Sequence, residues 1–217
     1  MRTRFTTSSV ILAVLVTFAL VAPVAAAGRW TTFKQSGTQA SAFRSDCVDN
    51  GDGTGTCESV SLDVFSGTSR QSGEPTVTGD QVCYGETTET FELDSGQPVE
   101  MRSLFGCALH TDTATVDRLD SVVVAPTVIE LTEVVCNSET CSESPAGSIT
   151  VQGAWTGIGP TASLKGRFSF DDGGCAQVSA ERSTSRLATF SGPFVADDAR
   201  IGTGTFTFRS SCPIEPA

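Results

Sequence analysis

The chain has 217 residues, a formal net charge of −11 from 25 Asp and Glu against 14 Lys and Arg, one histidine and eight cysteines. So acidic a chain repels phosphate backbones and anionic lipid surfaces, and its Lys and Arg stand singly without any run, which disfavours nucleic acid and membranes as partners. A single histidine leaves little room for zinc centres or for a Ser-His-Asp nucleophile.

The first residues read as an export signal. "MRTR" is a short cationic start, "VILAVLVTFALVAPV" is an apolar run and "AAAG" supplies small residues for cleavage after Ala27. The run contains Pro23 and falls short of the roughly 20 residues needed to span a bilayer, so a membrane anchor is the weaker reading. Losing residues 1–27 removes Arg2 and Arg4 and no acidic residue, which takes the charge from −11 to −13. Residues 28–217 are expected to form one exported domain, outside the cell or in the periplasm or wall, with no membrane span after cleavage.

The stretch "CVDNGDGTGTC", residues 47–57, raises the possibility of a calcium loop. With Gly53 at the sixth position of an EF-hand, position three is Asn50 and position five Asp52, but the first is Val48 and the twelfth Ser59. Both ends lack their ligands. Asn50-Gly51 and Asp52-Gly53 are strong hairpin signals, so the loop is expected to be a hairpin tip, with weak calcium binding over 46–53 left open.

Further along, apolar and polar residues alternate in "SVSLDVF" (59–65), "SITVQGAW" (148–155), "SLKGRFSF" (163–170) and "GTFTFRSSC" (204–212). Period two marks half-buried strands, and no stretch after residue 27 carries a helical stripe. "SGEP", "DSGQP", "SPAG", "GIGP", "DDGG" and "SGPF" are read as turns. The result is an all-β, disulfide-crosslinked antiparallel sandwich or barrel. Two segments, 66–80 and 191–204, are expected to be long recognition loops.

Cys47, Cys57, Cys83, Cys107, Cys136, Cys141, Cys175 and Cys212 are even in number and read as disulfides. They form two runs with the same order of spacing, a close pair followed by two long gaps. The pattern suggests two related halves, about 39–120 and 126–217, joined near "VVVAPT" (122–127). Locality within each half predicts the pairs Cys47–Cys57, Cys83–Cys107, Cys136–Cys141 and Cys175–Cys212.

Catalytic constellations are thin. His110 would have to be the base of any triad, and no G-x-S-x-G elbow is present. Glu130 and Glu133 have opposite parity on a strand, while Asp171 with Asp172 and Asp197 with Asp198 suit turns. Trp155 shares a face with Ile149 and Val151 and is expected in the core; Trp30 is expected to be exposed. No catalytic, cofactor-binding or metal-binding residues are assigned. The expectation is a secreted, monomeric, non-catalytic binding or structural protein with an extracellular partner. A carboxylate-based hydrolase and a barrel enclosing a small apolar ligand are the alternatives.

Overall fold

The computed structural model describes residues 30–110, 113–137, 140–171 and 176–211. The proposed signal segment, Asp172, Cys175 and Cys212 lie outside them. Nine strands follow in chain order: β1 (Thr31–Asp49), β2 (Thr54–Gln71), β3 (Val77–Glu92), β4 (Pro98–His110), β5 (Ala114–Asp117), β6 (Ser121–Asn137), β7 (Cys141–Asp171), β8 (Ala176–Ser191) and β9 (Asp198–Ser210). Each long strand pairs antiparallel with its neighbours in sequence, β1 pairs β9, and β4 pairs β6, so the single sheet closes into a ring. Ring closure selects the barrel-like arrangement over two separate sheets, and it needs only short local connections. The short β5 runs on from β4 and pairs with the start of β6. Its entry is tied down by the buried Asp80, whose carboxylate accepts the Ala114 N–H at 2.7 Å.

One face of the sheet forms the core. Ala40 and Ala42 of β1, Leu62 and Val64 of β2, and Val82 and Tyr84 of β3 are register partners and are buried together. Ile201 and Ala199 of β9 continue the row, and Val122, Ile129, Val151 and Trp155 close it from β6 and β7. Trp155 is fully buried and stacks at a tilt on Phe190, 4.8 Å between ring centroids. Its indole N–H donates to the Ser41 carbonyl at 2.9 Å, reaching over β8 and β9 to β1. Alternation therefore sends the odd-numbered side chains of β1 and β2 to the opposite face.

The three disulfides among the described residues lie on that opposite face. Cys47–Cys57, Cys83–Cys107 and Cys136–Cys141 each join direct cross-strand partners, with Cα atoms 4.1, 4.1 and 4.0 Å apart. Such bridges fit an oxidising extracellular environment. These are three of the four pairs predicted from spacing; the fourth, Cys175–Cys212, lies outside the described residues.

Several sequence readings are corrected. Residues 66–71 and 77–80 belong to β2 and β3, so the first expected loop shrinks to 72–76; the second shrinks to 192–197 because β9 begins at Asp198. "SPAG" and "GIGP" are not turns. Both lie inside the 31-residue β7, where the register shifts between Leu131 and Thr132 of its partner and between Ile158 and Thr161 of its own sequence. Gly147 and Gly159 take positive φ there, so the glycines serve bulges that bend a continuous strand. "VVVAPT" is likewise a bulged part of β6 and not a linker.

Candidate functional site

The 47–57 loop is the first candidate. Its carboxylates are spent on the turn itself: Asp49 Oδ1 accepts the Gly51 N–H at 2.8 Å, and Asp52 Oδ1 accepts from Thr54 N at 3.0 Å and Thr54 Oγ1 at 2.6 Å. The Thr54 hydrogen bonds hold the Asp52 carboxyl below its usual range. Gly51 and Gly53 supply the left-handed backbone. The loop is a stapled hairpin tip. Among the described residues no group of three or more His, Cys, Asp or Glu converges to hold a metal.

The other sequence candidates do not meet. Glu130 is exposed while Glu133 binds Arg102 at 2.5 Å. Asp197 accepts the Ser45 N–H at 3.1 Å and Asp198 pairs with Arg200 at 3.0 Å. His110 ends β4 in register with Asp80. Trp30 is 41% exposed and lies beneath the Arg209 guanidinium at 5.0 Å. On the disulfide face, Asp63 stands between Ser41 and Cys83 and is buried; desolvation, partly offset by a Ser61 hydrogen bond, raises its pKa to about 7. No second carboxylate is its register partner.

A site that no sequence motif announces lies on the same face, toward the amino-terminal end of β1. There Gly79 of β3, Gly67 of β2, Gly37 of β1 and Gly204 of β9 stand side by side in register, followed by Ser183 of β8 and Leu164 of β7. The backbones crowd together. A Cβ on Gly37 would fall 2.3 Å from the Ser66 carbonyl oxygen, one on Gly67 2.3 Å from that of Ser36, and one on Gly204 2.5 Å from that of Arg182. Only glycine fits a strand at such an approach.

The glycine backbone floors a groove, with the tip of the Phe65 ring lying over Gly37 and Gly67. Phe65, Phe206 and Leu164 form its walls around a volume of about 190 Å³, with Glu181 beside Phe206 at one end and Arg200 beside Ser41 at the other. A second volume of about 410 Å³ adjoins it, lined by Val77, Gln81 and Leu109. Gln35 and Phe65 border both. Gln35 is only 8% exposed, opposite Phe206 on one side and Ser69 on the other, and among the described residues its side-chain amide has no protein partner. Apolar side chains extend the rim, with Leu164, Phe168, Leu109 and Val77 each more than half exposed.

The sequence signal for this site is the register of four glycines far apart in the chain, which no local pattern discloses. In comparisons with known proteins, no family model, curated protein or solved structure matches the chain.

Proposed function

We propose that the chain is an exported, non-catalytic binding protein whose groove over the glycine row takes an elongated apolar ligand with a polar group that reaches Gln35. The observation that carries this reading is the glycine floor between Phe65 and Phe206. The backbone of Gly37 and Gly204 lets a ligand come close to the sheet beside the Phe65 ring, which leans over Gly37 and Gly67, and Phe65 and Phe206 would bury its apolar surface. Gln35 offers a donor and an acceptor beside Phe206, in a lining that also carries Gln39, Ser183 and Thr205, and such groups fix ligand orientation. An exposed apolar rim is further support, because unpartnered apolar patches on soluble proteins mark interaction sites.

This reading is favoured over an enclosed apolar-ligand barrel because Trp155, Leu62, Ile129 and Ile201 fill the core face. It is favoured over a carboxylate-based hydrolase because the groove's one outward carboxylate, Glu181, is hydrogen-bonded by Ser183 Oγ at 2.9 Å and has no acidic partner among the lining residues of its cavity. The signal segment and the three disulfides support export to an oxidising space.

The test is fluorescence titration with N-phenyl-1-naphthylamine, a neutral apolar probe. Saturable enhancement is expected for the native chain, with affinity reduced about tenfold in Phe206→Ser, since burying one phenylalanine is worth roughly 1.5–3 kcal/mol. Enhancement that is absent, or unchanged by Phe206→Ser and by Gln35→Leu, would end the proposal.

A further inference from the structure

The sheet that carries the groove has a second side with the opposite chemistry. On the core-bearing face of the same six strands, past the end of the core, alternation presents Lys34, Arg70, Lys165, Arg167, Arg182 and Arg209, all exposed. These are six of the 14 Lys and Arg of an otherwise strongly acidic chain. They stand apart in the sequence and are gathered only by strand pairing. Lys34 is directly opposite Arg70, and Lys165 directly opposite Arg182.

Like charges in direct cross-strand register destabilise a sheet. Ion pairs among the described residues involve Arg102, Arg186 and Arg200, and none of these six. At the end of the sheet where the cations stand, the acidic residues of this face are Asp171 at the end of β7 and the buried Asp80, whose carboxylate receives Ala114 and Thr113; Asp46, Glu58 and Glu86 share the face at the other end, beyond the core. Beyond Thr156 β7 pairs with β8 alone, and protection of that edge by charge accounts for Lys165 and Arg167. It does not account for Lys34, Arg182 or Arg209, which lie on interior strands.

Hydroxyls fill the spaces between the cations. Thr207 is the β9 partner of Lys34, Thr205 that of Arg182, and Ser36 stands between Thr205 and Thr68. The two cation pairs are separated by three interstrand steps, about 14 Å at roughly 4.8 Å each.

We propose that this face binds a linear anionic polysaccharide, its sulfate or carboxylate groups bridging the Lys34/Arg70 and Lys165/Arg182 pairs and its hydroxyls meeting the Thr and Ser side chains. A polysaccharide fits better than a nucleic acid because the strand positions between the cations carry threonine and serine, and the one exposed ring beside them, Trp30, is covered by the Arg209 guanidinium. It fits better than a bilayer because these positions carry no large apolar side chain to insert between lipids. The inference is independent of the groove, which lies on the other side of the sheet.

Retention of the intact protein on immobilised heparin and on polygalacturonate at low salt tests it, the two arms separating sulfate from carboxylate recognition. Binding to either is expected, with the dependence of log affinity on log salt reduced by about two in Lys34→Gln/Arg70→Gln and again in Lys165→Gln/Arg182→Gln. All four side chains are exposed, so both variants should melt as the native chain does, and Arg118→Gln, outside this face, should bind as native. No retention on either polyanion, unchanged binding by both double variants, or equal binding of duplex DNA would overturn the proposal.

Discussion

The indole N–H of Trp155 donates to the Ser41 carbonyl oxygen at 2.9 Å and thereby ties β7 to β1 through the middle of the core. Leu62, Ile201 and Val151, all buried with it, belong to the same cluster. Trp155→Phe deletes that hydrogen bond and leaves a void, and a loss of about 2–4 kcal/mol is expected. Urea denaturation checks it through a lower midpoint with an unchanged slope.

The glycine row predicts a contrast between two chemically identical substitutions. Gly37→Ala places a methyl group against the Ser66 carbonyl and the Gly67 Cα and is expected to cost about 1–3 kcal/mol. Gly166→Ala, in β7 with nothing within 4 Å of the new atom, should change stability by less than about 0.5 kcal/mol. Equal effects in thermal denaturation would contradict the close approach of β1 to β2.

Asp63 gives stability a pH dependence. Its pKa in the folded chain, about 7, lies above the ordinary 3.8, so between those values the folded state holds a proton that the unfolded chain has released. The stabilisation is complete below about pH 4 and is lost as pH rises through 7, amounting to at most about 4 kcal/mol. Asp63→Asn should flatten this part of the profile. Denaturation midpoints at pH 5 and pH 8.5 for both chains measure it, and the native chain should lose more on going to the higher pH.

Cross-linking is expected to follow the ladder. Gln177 of β8 is opposite Ser210 of β9, and in the sequence Cys175 and Cys212 lie two residues beyond on either side, so peptide mapping of the unreduced protein should recover Cys175–Cys212. Replacing Cys83 and Cys107 together, which opens a closure with a sequence separation of 24, should cost about 3 kcal/mol. Replacing Cys136 and Cys141, separated by 5, should cost less. Any crosslink between residues 28–120 and 126–217 would contradict the pairing.

The all-β class, the core position of Trp155 and the hairpin at 50–53 were legible because each is a local pattern: period-two alternation or an Asn-Gly pair. Other features were not local. "SPAG" and "GIGP" have turn composition, yet a bulge makes the same demand for positive φ while the strand runs on, so β7 was read as several pieces. Lys165 and Arg182, or Gly37 and Gly204, become neighbours only through strand register, which depends on the whole ring. The groove and the cationic face are therefore products of topology that no motif carries.

The central claim is that ligand lies on the glycine row. Glycine amides have a distinctive nitrogen shift, so two-dimensional amide NMR of the labelled protein, titrated with N-phenyl-1-naphthylamine, reports on the floor directly. The signals of Gly37, Gly67, Gly79 and Gly204 should move together and saturate at one concentration, while Gly166 stays in place. Movement confined to other residues, with these four unshifted, would contradict the account.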